Sequence, residues 1–584
     1  LLQHSRQMWL YLGLVILTNI LMAGTARSQT VDPAIAPNLV TPPPQDTLPP
    51  SPSTSPTPPL LPPLLNPLPS PPATTTPEES LDNAPGTINV DRYQVIGSTV
   101  FTREDFEKVT YPFTGENITF DQLLQARSAV TELYKNRGYI TSGAYIPQNQ
   151  TIQIDGGVVL IQVIEGGLEG IKVTGTQRLN PNYLQSRLAI ATSKPLNKKR
   201  LLEALRLLQL NPLIENLSAE LSAGTQPGMS LLEVRVKEAK TFLTETAIDN
   251  ERSPSIGSFE RRLQLTEANL LGQGDGVNIA YTNTDGSDNL DVSYELPFNP
   301  RNGTLRFSYG TTSSNVIERP FERLDIKSAS RYYELTLRQP IIQTATQQST
   351  QELALGLTAS RRESETSLLD IPFPLSPGAD DRGRTRLSAL RFFQEWTQRN
   401  SREVIALRSQ FSFGLDAFDS TINETAPDSR FFAWRGQGQW FRRLAPDKFL
   451  LVRADVQLAD RALMPLEQFG LGGQASVRGY RQDILLSDDG IFASAELQLP
   501  VYRTSSGQGV LQIVPFVDFG TVWNSSGRAE TNSNTLASVG LGLQWRHERL
   551  SVRIDWGVPL IELPSRNGTW QENGLYFSVR YNPF

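Results

Sequence analysis

The sequence predicts a β-barrel membrane protein of about 16 antiparallel strands, preceded by two small α+β domains. Three observations carry that prediction. From Thr241 onward, segments of roughly ten residues alternate apolar and polar side chains with period two, as strands between lipid and a wet interior do. Seven of the eight tryptophans (Trp396, Trp434, Trp440, Trp523, Trp545, Trp556 and Trp570) lie in that region, where interfacial girdles need them. Between Ile88 and Val236 the pattern is instead mixed helix and strand, and its order repeats.

Composition narrows the function classes. The chain has 584 residues, a net charge of −6, no cysteine and two histidines, His4 and His547. Without a basic excess, bulk nucleic-acid binding is not indicated. Without cysteine there is no disulfide, thiolate metal site or thiol nucleophile. A catalytic triad would have to be built on His547 alone, beside Arg546 and Glu548 in a strand-end turn. No nucleophile elbow, Walker loop or zinc-protease helix motif is present. The run Gly272-Gln-Gly-Asp-Gly276 has the wrong spacing for a dinucleotide fingerprint and reads as a hairpin turn. No enzyme activity, metal or cofactor is therefore expected.

The elements follow in order. Residues 1–28 read as a secretory signal peptide: His4 and Arg6, an apolar run from Met8 to Met22, then small residues with Ala26 and Ser28 as cleavage positions. Residues 29–87 read as a Pro-rich disordered linker. Nineteen of the 41 prolines fall between Val31 and Pro85, and such a segment lacks donors and cannot pack a core.

Residues 88–167 form the first expected α+β module. A strand at Tyr93 to Ile96 precedes a helix entered at Thr119, with Gln122 completing a capping box. Leu123, Ala126, Val130, Leu133 and Tyr134 share one face, and Gly138 ends the helix. Strands at Gly143 to Ile146 and Val158 to Ile164 close the unit. Residues 168–239 repeat the order. A strand at Gly170 to Thr174 leads to helices at Asn180 to Ile190 and Asn197 to Leu210, then strands at Leu217 to Leu221 and Leu231 to Val236. Exposed edges of such small sheets could accept an extended peptide as an added strand.

Residues 240–584 carry the alternating segments. Leu407, Phe411, Phe413 and Leu415 alternate with Arg408, Gln410, Ser412 and Gly414. Leu550, Val552, Ile554 and Trp556 alternate with Ser551, Arg553, Asp555 and Gly557. A soluble sandwich would show the same alternation, but the signal peptide and the aromatics favour a membrane barrel. A barrel that wide encloses an aqueous lumen unless something fills it. On the last strand Leu575, Phe577, Val579 and Tyr581 form the lipid-side set. With the terminal Phe584, which is out of phase across Pro583, this strand is similar to the assembly signal of bacterial outer-membrane barrels.

One loop and one strand stand out. Leu471-Gly-Gly-Gln-Ala-Ser-Val-Arg-Gly-Tyr480 is a Gly-rich loop carrying Arg478 between Val477 and Gly479. In Phe516-Val-Asp-Phe-Gly520, Val517 and Phe519 point one way, and Phe516, Asp518 and Gly520 the other. If the first face meets lipid, Asp518 faces the lumen and needs a partner. Arg478 is the natural one, because a planar guanidinium holds a carboxylate bidentately.

With those motifs, and with Arg137-Gly-Tyr139, Ile146-Pro-Gln148, Val163-Ile-Glu-Gly166, Asp249-Asn250 and Gly272-x-Gly-Asp275, the chain resembles two-partner secretion transporters of the filamentous-haemagglutinin and haemolysin type. These belong to the outer-membrane-assembly superfamily with periplasmic POTRA modules. The resemblance covers residues from about 88 to 584. It implies an outer-membrane barrel with its POTRA domains in the periplasm. These would capture an unfolded exoprotein, large and β-helical with an amino-terminal secretion domain, and the barrel would conduct it outward without nucleotide hydrolysis. It implies contact with outer-membrane lipid and with the barrel assembly machinery during biogenesis, and no nucleic-acid partner. It also implies that Val477, Arg478, Gly479 and Tyr480 form a lumen-inserted sixth loop facing Phe516, Asp518 and Gly520. Several members plug the pore with an amino-terminal helix; Pro33 and Pro37 leave residues 31–40 without one. An assembly factor of the same superfamily is the alternative reading, disfavoured by two modules rather than three to five. A passive porin leaves the modules and the Arg478 loop unexplained.

Overall fold

The structure is a computed structural model that describes residues 87–148, 150, 157–525, 534–563 and 568–583. The expected signal peptide, almost all of the Pro-rich linker and Phe584 lie outside the described residues.

The first module runs β1 (Ile88–Ile96), α1 (Arg103–Thr110), β2 (Gly115–Ile118), α2 (Phe120–Asn136), β3 (Gly143–Tyr145) and β4 (Gly157–Ile164), with sheet order β2-β1-β4-β3. Thr119 and Gln122 make the reciprocal capping box that starts α2. Leu123, Ala126, Val130 and Tyr134 bury one face of α2 against Val159, Ile161 and Val163 of β4. Helix α1 and strand β2 have no counterpart in the sequence reading. Beneath them Tyr93 loses solvent, which pushes its phenol up to about 12.

The second module runs β5 (Gly167–Thr174), α3 (Pro181–Ala191), α4 (Lys198–Gln209), β6 (Ile214–Ala223) and β7 (Met229–Glu238), with sheet order β5-β7-β6. Strand β5 starts at Gly167 rather than Gly170. Its core is leucine-rich: Leu184 and Leu188 of α3 and Leu201, Leu205 and Leu208 of α4 close over Leu232 and Val234. The modules join tightly. Asn197 accepts from the Lys199 and Arg200 amides at the start of α4 while its Nδ2 donates to the Arg137 carbonyl at the end of α2 (3.1 Å). The Lys198 amide also donates to the Gly138 carbonyl (2.8 Å).

Sixteen antiparallel strands then close a barrel. They are β8 (Phe242–Asp249), β9 (Glu260–Glu267), β10 (Gly276–Asn283), β11 (Ser287–Pro297), β12 (Thr304–Asn315), β13 (Lys327–Ala345), β14 (Ser349–Leu368), β16 (Arg384–Asn400), β17 (Glu403–Leu415), β18 (Phe432–Ala445), β19 (Lys448–Ala459), β22 (Asp489–Arg503), β23 (Gly509–Trp523), β24 (Thr535–His547), β25 (Leu550–Pro559) and β26 (Leu575–Tyr581). The two-residue β15 (Ile371–Pro372) edges one outer loop, and β20 (Phe469–Leu471) pairs with β21 (Leu485–Ser487) inside another. Alternation settles as a lipid face and a lumen face: Leu407, Phe413, Leu541, Ile554 and Trp556 are exposed outward, whereas Gln410, Ser412, Asp518 and Asp555 are buried inside.

Closure joins β26 to β8 over four residue pairs, Ser578↔Asp249 to Tyr581↔Thr246. Asn250 extends this seam beyond the strand end. Its side-chain amide donates to the Leu575 carbonyl (2.9 Å) and accepts from the Phe577 amide (2.8 Å). At the opposite, module-facing end, the second module sits on the first turn. The Asn180 amide donates to the Gly272 carbonyl (2.8 Å), Arg178 donates to the Asn269 carbonyl (3.0 Å), and Arg187 reaches Asn302 on the next turn (2.8 Å). Gly274 is required there: with φ +74°, a Cβ would stand 2.5 Å from the Tyr183 ring. The Gly272 to Gly276 run is thus a hairpin turn that also seats the second module.

Candidate functional site

The connection from β19 to β22 folds into the barrel rather than away from it. Phe469, Leu471, Val477, Tyr480 and Leu485 of this loop pack with Phe492, Val522 and Leu536 of the wall. The wall makes room with small residues: a Cβ on Gly520 would strike Leu471 at 2.7 Å, and one on Gly490 would strike Phe469 at 2.2 Å.

At the tip, Arg478 is 1% exposed and Asp518 likewise, so solvent does not compensate either charge. Arg478 Nε and Nη2 donate to the two oxygens of Asp518, each at 2.8 Å, and the Arg478 backbone amide adds a third bond (3.1 Å). Ser494 Oγ donates to Asp518 Oδ1 (2.6 Å), and Arg478 Nη1 donates to Glu496 (3.1 Å). The guanidinium carbon lies 3.4 Å from the centre of the Phe516 ring, so the cation is stacked as well as paired. Glu496 also accepts from Arg553 (2.9 Å), which holds Asp555 (2.6 Å), and Gln474 donates to Asp555 (2.5 Å). Three strands, β22, β23 and β25, thereby converge on one loop residue.

The neighbours of Arg478 fix its approach. Gly479, at φ +99°, lets the backbone run against Gly557, where an added Cβ would stand 2.7 Å from the Gly479 nitrogen. The Gly479 amide donates to the Tyr576 hydroxyl (3.1 Å), which itself donates to the Tyr480 carbonyl. Tyr480 donates its own hydroxyl to the Ala537 and Ile561 carbonyls (2.9 Å each). Val477 is wholly buried. Arg481 leaves in another direction, clamping Glu318 of the outer loop between β12 and β13 at 2.9 and 2.8 Å.

Val477, Arg478, Gly479, Tyr480, Phe516, Asp518 and Gly520 therefore meet in one place. Phe577, Val579 and Tyr581 instead lie on the last strand, where each pairs across to β25. Sequence reading missed Ser494, Glu496 and Tyr576. Glu496 had a signal in the inward set Ser494, Glu496 and Gln498, diluted by small residues on the outer face. Arg553 and Asp555 were visible as inward polar residues but not as partners of the loop.

Comparison with known families decides the class. The family model described as haemolysin secretion/activation protein ShlB/FhaC/HecB matches residues 228–545, and that for the ShlB-type POTRA domain matches residues 88–166. The chain belongs to the ShlB/FhaC/HecB family. This transporter is 23% identical over 503 residues to the outer membrane transporter CdiB of Escherichia coli O6:K15:H31, covering 84% of this chain and 82% of that one. It is 22% identical over 470 residues to the heme/hemopexin transporter protein HuxB of Haemophilus influenzae strain 86-028NP, covering 74% and 76%. Among solved structures, CdiB from Escherichia coli superposes with TM-score 0.64 at 22% identity, over 87% of this chain and 93% of that one. BamA from Haemophilus ducreyi lacking POTRA domains 1–3 superposes with TM-score 0.51 at 14% identity, over 85% and 100%. The transporter is thus a two-partner secretion protein of the outer membrane, with its POTRA modules on the periplasmic side.

Proposed function

We propose that this transporter captures an unfolded exoprotein in the periplasm through its POTRA modules and passes it through the barrel lumen to the cell surface without nucleotide hydrolysis. Folding outside supplies the direction. The exoprotein is large and β-helical, with an amino-terminal secretion domain, and the barrel assembly machinery inserts the transporter itself. The observation that carries this reading is the loop held inside the lumen by Arg478: a pore that is blocked by a polar, reversible contact can be cleared. Arg478, with Val477, Gly479 and Tyr480, acts as a latch on Phe516, Asp518 and Gly520 that sets where the sixth loop rests. Phe577, Val579, Tyr581 and Phe584 act as the signal read during assembly. Deleting the transporter should trap one large protein in the periplasm while the other outer-membrane barrels remain. Loss of many barrels instead would make it an assembly factor.

A further inference from the structure

The sixth loop meets the wall at a second buried charge cluster, three strands away from the one around Arg478. Glu467, eleven residues before Arg478 in the short turn Pro465–Glu467, points at β14 and β16. Its Oε1 accepts from Arg391 (2.6 Å) and Arg362 (3.0 Å), and Arg362 also donates to Glu334 (3.1 Å) and to the Leu466 carbonyl (3.3 Å). Arg391 and Arg362 are buried, and the Glu467 side chain is 10% exposed. Three strands, β17, β18 and β19, separate this cluster from β22, where the Arg478 contacts begin. The loop is therefore fastened to the wall at two buried clusters, besides the Arg481 clamp on Glu318. Between the fastenings lie Gly472 and Gly473 at φ +104° and +94°, a positive-φ turn that glycine adopts without strain.

We propose that Glu467 is a second anchor of the sixth loop, so that the lumen clears only when the Glu467 and Arg478 clusters are both broken. The two differ in what they leave behind. Departure of Glu467 takes a carboxylate from both Arg391 and Arg362, while Arg362 keeps Glu334. Departure of Arg478 takes the guanidinium from Asp518 and Glu496, while Arg553 stays on Glu496 and Asp555. Each cluster, short of one paired charge, favours the loop's return.

The inference rests on the reading that loop displacement opens the conduit, and one experiment separates the two. The chain has no cysteine, so Ala475→Cys at the loop tip is a unique reporter. The full chain, inserted in phosphatidylcholine vesicles and checked for heat-modifiable mobility, is treated with a PEG-maleimide too large to enter the barrel. Glu467→Gln should raise labelling about tenfold, the scale of one charge-assisted hydrogen bond. Arg478→Ala should raise it similarly, the pair of substitutions more than either, and Glu467→Asp should restore part of the protection. Wild-type labelling in Glu467→Gln beside raised labelling in Arg478→Ala overturns the second anchor and leaves loop displacement standing. No change in any variant overturns loop displacement itself. If Glu467→Gln does not insert, Arg391→Gln removes the same bond from the wall side, and unchanged labelling there overturns the proposal.

Discussion

Arg478 satisfies almost every donor it has within one cluster, and that sets what its removal costs. Three nitrogens, the backbone amide, Nε and Nη2, serve Asp518, while Nη1 serves Glu496. Arg478→Ala removes both guanidinium bonds and leaves Asp518 buried with the Ser494 hydroxyl and the backbone amide of residue 478 as its close donors. Breaking one partner of such a pair costs about 3–5 kcal/mol locally. Secretion should be abolished while the barrel remains inserted, read as heat-modifiable mobility beside exoprotein in the medium. Normal secretion by both Arg478→Ala and Asp518→Ala would refute a role for the pair. Gly557→Val tests the same seat without touching a charge, because any Cβ there meets the Gly479 nitrogen at 2.7 Å. It should push the tip off the wall and impair secretion in the same assay. The Arg478 and Asp518 partnership was legible because each is a charge with a forced direction: a Gly-rich loop on one side and an inward strand position on the other. Glu467 was not legible. Its partners Arg362 and Arg391 come from strands more than 70 residues away in sequence, and nothing local marks it.

At the scale of elements, helices with long apolar faces and strands with clean alternation could be read directly. Helix α1 could not, because its eight residues bury only Phe106 and Thr110. Its capping box, Thr102 with Asp105, was the available signal. Behind that helix lies Glu165, which accepts from the Thr99 hydroxyl (2.6 Å), the Thr99 amide (2.7 Å) and Tyr134 (3.0 Å). Burial pushes its carboxyl up, but these hydrogen bonds outweigh burial and hold it below the usual range. A carboxyl lowered in the folded state contributes stability above its unfolded pKa and loses it as pH falls through the folded value. A fragment carrying both modules should therefore lose thermal stability below about pH 4.5, and Glu165→Gln should flatten that part of the profile, measured as Tm by circular dichroism. The leucine core between α3, α4 and the sheet is a separate unit. Leu232→Ala should destabilise it by about 2–5 kcal/mol, read as a shift in the urea midpoint of the same fragment.

Across the whole molecule, the elements form one connected path of contacts from the modules to the barrel. Asn197 fixes the first module to the second, and Arg178, Asn180 and Arg187 fix the second to the barrel turns. The sixth loop crosses the lumen above that path, and through Tyr576 and Gln571 it also touches the strand and loop that close the barrel. The strand total was legible from length and period, whereas the interior was not: which inward residues meet a loop depends on how that loop folds back. The proposed function requires that the exoprotein travels through this lumen. An exoprotein arrested in transit, beside a photo-crosslinking residue at the inward positions Gln437 and Gln498 or the outward positions Leu407 and Leu541, tests it directly. Crosslinks are expected at the two inward positions and none at the outward ones; crosslinks confined to the outward face would contradict passage through the lumen.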